Sequence, residues 1–230
     1  MHVLDNPAWH ALTGAHRSFA VGTEDAKRYR PDMSPFAAVA DPDGPLDALT
    51  ELVGLSGGGD SALGVFGAST GPDGWETLGA YDCWQLVYEH ETMPQVRQLG
   101  DDARLVALGD DDVPDALDLV DRTRPGPFLP RTIEFGGYRG IRVGDRLAAM
   151  AGQRMRPDGW CEVSAVCADP EFRGRGFAAT VMVEVMRGIV ARGERPFLHV
   201  EATNERALGV YEALGFTRRR RANILVCQPL

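Results

Sequence analysis

Residues 169–186, DPEFRGRGFAATVMVEVM, set two Arg-Gly pairs directly in front of an apolar repeat, and no other stretch limits the possible folds so tightly. Apolar residues recur at Ala178, Val181, Met182, Val185, Met186 and Ile189, the spacing of an amphipathic helix, and Gly193 marks its C-terminal stop. Upstream, WCEVSAVCADP is short, rich in β-branched and apolar residues and closed by Pro170, which predicts a largely buried strand over Trp160–Ala168. The order is therefore strand, Arg/Gly loop, helix. The first turn of a helix leaves backbone N–H groups unpaired and carries about half a positive charge, so an anion there gains roughly 0.3–2 kcal/mol. Gly174 and Gly176 let the backbone approach such an anion, and Arg173 and Arg175 offer charge-assisted bonds to it. A diphosphate suits this site.

Three other readings bear on the same letters. A solvated turn is the plain one, since arginine and glycine are common on surfaces. Gly174, Gly176 and Ala179 also satisfy the dinucleotide pattern G-x-G-x-x-G/A, which keeps nicotinamide dinucleotide binding as a weaker alternative. Against it, Pro170–Arg173 separate the strand from the first glycine, and only ~55 residues follow, too few for a doubly wound half. The Walker pattern is absent, and the chain has a single lysine, Lys27.

The segment PFLHVEATNERALGVYEALGF, residues 196–216, predicts a strand over Phe197–Ala202 and a helix capped by Asn204, with Ala207, Val210, Tyr211 and Leu214 on one stripe and Gly215 as its stop. With this second unit in place the chain resembles the GNAT superfamily of acyl-CoA-dependent N-acyltransferases. Arg173-x-x-Gly176-x-Ala178 stands for the family's (Gln/Arg)-x-x-Gly-x-(Gly/Ala), and Asn204-x-x-Ala207-x-x-x-Tyr211-x-x-x-Gly215-Phe216 for its tail motif. The resemblance covers roughly residues 101–230 and is nearest to the branch related to glycine N-acyltransferase. It implies that the anion is the diphosphate of coenzyme A, with acetyl-CoA as acyl-donor cosubstrate, and that Arg173, Gly174, Arg175, Gly176, Phe177, Ala178 and Asn204 line its site.

The resemblance also implies a mixed α/β fold, a mostly antiparallel twisted sheet flanked by helices. From residue 101 the predicted elements run β-α-loop-β-β-β-α-β-α-β in agreement. DDARLVALGDDDVPDALDLVDRT supplies a strand, an acidic turn and a helix, and YRGIRVGDRLAAMAGQRM a hairpin turning at Gly144-Asp145. Residues 1–100 read as a separate N-terminal domain. It is broken by prolines and the SGGGDS stretch at 56–61, with strand-like pieces at Ala62–Phe66 and Cys83–Glu89. Bidomain relatives suggest a degenerate copy of the same fold here, although no internal repeat is visible.

Charge and composition exclude several classes. Residues 1–100 carry five Lys/Arg against fourteen Asp/Glu, whereas residues 101–230 carry nineteen of each. An acidic chain is a poor nucleic-acid binder, and the run Arg218–Arg221 reads as a solvated basic strand. No apolar run approaches ~20 residues and the start lacks a basic-then-apolar leader, so we expect no membrane association and a cytoplasmic location. Cys83, Cys161, Cys167 and Cys227 form no C-x-x-C pair and read as reduced core thiols; the five histidines lack metal-ligand spacing, so no metal is expected.

Acyl transfer to an amine needs an unprotonated nucleophile, support for the oxyanion and a proton for the leaving thiolate. The family resemblance assigns these roles to named positions. Glu162, eight residues before Pro170, is the candidate general base; the backbone at Val166 and Ala168 should bulge outward to meet the pantetheine amides and thioester oxygen; Tyr211 is the candidate proton donor. The bland reading makes Glu162 the partner of an arginine and Tyr211 a core residue. The resulting expectation is an N-acetyltransferase acting by direct attack in a ternary complex on a small-molecule or peptide amine. The other class is a non-catalytic acyl-CoA-binding regulatory module, which would keep the loop without needing Glu162 or Tyr211. The acceptor is expected near residues 122–138, with Phe128, Arg131, Glu134 and Tyr138 as candidate contacts or, equally, as an ordinary connection.

Overall fold

The apolar stripe that follows the Arg/Gly loop has to be covered, and in the computed structural model, which describes residues 2–53, 55 and 62–230, a broad sheet covers it. The first hundred residues give α1 (Pro7–Thr13) and five strands: β1 (Ala20–Gly22), β2 (Ala26–Tyr29), β3 (Phe36–Val39), β4 (Leu63–Phe66) and β5 (Trp75–Val87). The SGGGDS stretch lies outside the described residues. From residue 101 the order is β6 (Ala103–Ala107), α2 (Val113–Thr123), β7 (Arg139–Val143), β8 (Arg146–Gln153), β9 (Trp160–Ala168), α3 (Phe177–Val190), β10 (Arg195–Glu201), α4 (Glu205–Ala213) and β11 (Thr217–Pro229). This is the expected succession, with the β7–β8 turn at Gly144-Asp145.

Among the described residues all strands belong to one sheet, ordered β1-β2-β3-β4-β11-β5-β10-β9-β8-β7-β6. Only β3/β4 and β9/β10 run parallel. The sheet crosses residue 100 without a break, because β5 lies between β10 and β11 and pairs with both. The strand-like piece expected from Cys83 thus starts eight residues earlier, at Trp75. Its first half, WETLGAYD, has no alternation of apolar and polar residues, leaves most of its side chains exposed, and is held by its antiparallel ladder with β11.

Side chains alternate across the sheet and build two cores. Cys161 and Val163 of β9 and Leu198 and Val200 of β10 point beneath α3, against Val181, Met182, Val185 and Met186. At about 1.5–3 kcal/mol for each fully buried aliphatic side chain, this interface is what holds the helix down. Trp160 and Phe197 point the other way, where Leu4, Tyr29, Met33, Phe36 and Phe66 close over them. Gly193, at φ +76°, lets the chain leave α3, and its N–H caps the Val190 carbonyl at 2.9 Å. No helix among the described residues is long and apolar enough to cross a membrane.

Candidate active site

β9 and β10 pair only at Trp160–Glu162 against Arg195–Phe197, although β9 continues to Ala168 and β10 to Glu201. Beyond Glu162 the two parallel strands part, and the β10-facing edge of β9 is left without a ladder. Its other edge carries a bulge. The register with β8 passes from Ser164 opposite Gly152 to Cys167 opposite Met150, so Ala165 and Val166 together oppose Ala151. Ala165 takes φ +53°, the conformation that turns the backbone out of the strand line. The bulge expected around Val166 and Ala168 falls at Ala165 and Val166, while Ala168 stays in register opposite Ala149; Val166 and Ala168 are half-buried against the α3 core.

At the end of β9 the loop is anchored by Asp169, a residue that the sequence pattern did not single out. Its buried carboxylate accepts from the Glu171 N–H at 3.0 Å and from Arg146 at 2.7 Å, with Arg122 at 3.0 Å. Burial alone would raise its pKa, but the Glu171 N–H and the two arginines hold it below the usual carboxylate range. Pro170–Phe172 form one 3-10 turn, Gly174 and Gly176 take φ +78° and +80°, and α3 begins at Phe177. The first backbone bond of the helix runs from Thr180 N to Gly176 O, at 3.0 Å, which leaves the preceding N–H groups pointing out of its start. A Cβ added at Gly174 would meet no atom within 4 Å, so the rim is open there. The two arginines differ. Arg173 is exposed and has no ion-pair partner among the described residues, whereas Arg175 bonds Asp102 at 2.6 Å and lies over the Phe177 ring at 4.5 Å. Phe177 is buried and Ala178 half-buried in the first turn.

α4 faces the same region from the other side. Asn204 caps it, its Oδ1 accepting from Ala207 N at 3.1 Å, which leaves the amide Nδ2 uncommitted to the cap. Tyr211 packs its ring on the α3 core, and among the described residues its hydroxyl makes no hydrogen bond. Burial, with a smaller push from Cys167 just past the bulge, raises the phenol to about 12.

Glu162 sits at the closed end of the strand gap, on the opposite face of the sheet. It is 0% exposed and accepts two bonds from Arg154, at 2.8 and 2.6 Å, a third from His199 Nδ1 at 2.7 Å, and a longer one from Met155 N. Burial alone would raise its pKa, but the Arg154 charge and bonds, with His199, outweigh it and hold the carboxyl at about 2. With Nδ1–H donated to Glu162, His199 Nε2 accepts from Gln85 at 3.0 Å; Gln85 also donates to Leu4 O and receives Arg219, which pairs with Asp5. Phe36 lies over the Arg154 guanidinium at 4.7 Å, and the Phe66 ring meets the His199 ring at 4.7 Å, tilted by 44°. Sequence reasoning missed Arg154, His199 and Gln85. The one available signal was that a β8–β9 hairpin sets Arg154 opposite Glu162, as the Arg154 N to Glu162 O bond records at 3.0 Å.

In the segment 122–138, Phe128 and Tyr138 are buried and meet edge-to-face at 5.5 Å, while Arg131 is bound to Glu134 and Asp32. Phe128 and Tyr138 are thus packed inside the fold, whereas Arg131 and Glu134 form an ion pair at the surface. The four cysteines are buried free thiols, and burial pushes Cys83 up to about 11 and Cys161 to about 12.

A family model described as FR47-like protein matches residues 138–225, the stretch that holds the gap, the loop and α4. A solved structure from Novosphingobium aromaticivorans, named as an acetyltransferase assigned to the GNAT family, is 36% identical with a TM-score of 0.87, and the match covers 100% of both chains. Mycothiol acetyltransferase of Saccharopolyspora erythraea is 36% identical over 75 residues, 32% of this chain and 25% of that protein. The N-alpha-acetyltransferase RimI of Mycobacterium tuberculosis is 36% identical over 84 residues, 35% of this chain and 52% of that protein. The match thus spans from a quarter to about half the length of these two curated relatives.

Proposed function

Because the chain belongs to the GNAT family of acetyltransferases, on a likeness that runs the whole length of both chains, we propose that it moves an acetyl group from coenzyme A to an amine by direct attack in a ternary complex. The observation that carries the reading is the parting of β9 from β10 beside a bulge, with the open phosphate loop at one end and an unbonded tyrosine hydroxyl alongside. The residues present fit the donor. Arg173 and the N–H groups from Gly174 to Ala178 would hold its diphosphate, and Asn204 has an amide nitrogen to spare. The backbone at Val166, in the bulge, and at Ala168, just past it, has a free edge toward β10 for the pantetheine amides and for the thioester oxygen as charge develops on it.

Tyr211 gives a proton to the departing sulfur. With the phenol at about 12 and a thiol near ~8.5, a completed transfer is uphill by roughly 5 kcal/mol, so donation accompanies C–S cleavage rather than preceding it. Glu162 acts in this reading as a positioning residue for Arg154 and His199. A direct base role would require it to give up one of the bonds that saturate it, at a pKa of about 2 that makes it a weak base. The acceptor amine then sheds its proton to water at the open end of the gap.

The two curated relatives are named for different acceptors, and the motif resemblance to the glycine N-acyltransferase branch adds amino acids as a third class. The test is isothermal titration with acetyl-CoA and with NAD, followed by free-thiol release across amino acids, polyamines and peptide N-termini. Binding of acetyl-CoA with acceptor-dependent thiol release is expected. Binding without release for any amine would favour a regulatory module, and preference for NAD would overturn the reading of the loop.

A further inference from the structure

The segment between β5 and β6, residues 88–102, carries no regular structure, yet it is not loose. Met93, Val96 and Leu99 pack on the core beneath α3, a three-residue period that suits an extended chain with Pro94 in it. Its far end is tied to the loop by the bond from Arg175 to Asp102, and Gly100 leaves room there, since a Cβ on it would lie 3.1 Å from the Asp102 Oδ1 that takes this bond. Arg97 is thereby laid across Gly176: a Cβ built on that glycine would touch Arg97 alone, at 3.5 Å from its Cβ and 4.0 Å from its Cδ.

The first hundred residues hold five basic side chains against fourteen acidic ones; Arg17, Arg30 and Arg97 are exposed without an ion pair among the described residues, and of these it is Arg97 that lies against the loop. Arg28 is buried, and Lys27 donates to the Thr23 carbonyl. Arg97 is exposed, has no ion pair or hydrogen bond among the described residues, and rests beside the glycine that opens α3, where Arg173 is likewise unpaired. Unpaired guanidinium groups gathered at one helix start favour an anion there.

We propose that Arg97 is a phosphate-binding residue of the acyl-donor site, so that the extended segment from the first hundred residues completes a site that the loop begins. The inference rests on the donor reading given above. A guanidinium matches a phosphate through paired N–H bonds, and its methylene stem packed on Gly176 limits the side-chain entropy lost when that bond forms.

The test compares acetyl-CoA and its 3′-dephospho form on wild type, Arg97→Gln, Arg97→Lys and Arg17→Ala, by calorimetric titration with a melting curve for each. Arg97→Gln keeps the stem and removes the charge. It should bind acetyl-CoA about five- to tenfold more weakly, as expected for a partly exposed charge-assisted contact. Arg97→Lys should recover part of that loss, and Arg17→Ala, which removes an exposed charge from the turn before β1, should bind like wild type. A loss shared by both ligands places Arg97 on the diphosphate, and a loss confined to acetyl-CoA places it on the 3′-phosphate; either supports the proposal. A folded Arg97→Gln within twofold of wild type for both ligands overturns it and leaves the donor reading standing. Wild type that binds neither ligand overturns both.

Discussion

The two ends of β9 behave as opposites although one strand carries both. At Trp160–Glu162 both edges are engaged, the Glu162 side chain is fully buried, and every bonding position on its carboxylate is spent on Arg154, His199 and Met155. From Val166 to the loop one edge is open, the glycines are exposed, and N–H groups, Arg173 and the Tyr211 hydroxyl have no partner within the described chain. Polar groups that are saturated and dry hold a structure in one form; those that are unsaturated and wet are available to a ligand. Chemistry is therefore expected at the second end, with rigidity supplied by the first.

The comparison breaks most visibly at the closed end. Glu162→Ala strands a buried Arg154 charge, which costs about 3–5 kcal/mol, and at roughly 2–4 °C per kcal/mol for a chain of this size the melting temperature should fall on the order of 10 °C. Glu162→Gln also separates positioning from base chemistry through pH. A carboxyl held at about 2 when folded and ionising near ~4.3 when unfolded stabilises the chain above that upper value, and the stability is lost as pH falls through the folded value. The wild type should therefore lose melting temperature between about pH 4 and pH 2 more steeply than Glu162→Gln, whereas the acidic limb of kcat/KM should be the same in both. A kcat/KM that loses its acidic limb in Glu162→Gln would restore the base role.

At the open end the effects should fall on function and spare the fold. Tyr211→Phe should lower kcat by about 10²-fold, the lower part of the general-acid range because its phenol is a weak donor, while donor affinity and melting temperature stay level. Wild-type turnover in that variant would transfer the proton donation to water. Gly176→Asp should weaken acetyl-CoA at least tenfold in titration, since it sets a carboxylate at the helix start and forces φ +80° on a residue with a Cβ. The smallest change belongs to Asp102→Asn, which removes an exposed, solvent-screened tie on Arg175: melting should move by no more than a few degrees and acetyl-CoA affinity by less than about fivefold.

The same contrast decides what could be read from the sequence. The loop, its glycines, the Asn204 cap and the α3 stripe are local devices, set by residues within a few positions of one another, and they stand where the pattern places them. The Glu162 network draws Arg154 from β8, His199 from β10, Gln85 from β5 and Leu4 from the turn before α1, and no periodicity links positions so far apart. Phe128 and Tyr138 read as apolar and aromatic in either role, and their packing against each other is set by the fold rather than by any local pattern. The first half of β5 was silent because its strand character comes from its partner β11 and hardly at all from its own side chains.

That long ladder also orders events in time. β4 finds its neighbours in β3 and β11, and β5 in β10 and β11, so Leu63, Val65, Leu225 and Cys227 share one core although some 160 positions separate them. During synthesis at about 5–20 residues per second, β4 and β5 emerge many seconds before β11 exists. Until β10 emerges β5 has neither edge paired, and its Trp75–Asp82 half stays unpaired until β11 follows, a state open to association with other nascent chains. Contacts this distant in sequence also form slowly once the whole chain is free. A ribosome-bound chain stalled before residue 217 should therefore be protease-sensitive across 63–87, and release of β11 from the exit tunnel should be the step that closes the molecule.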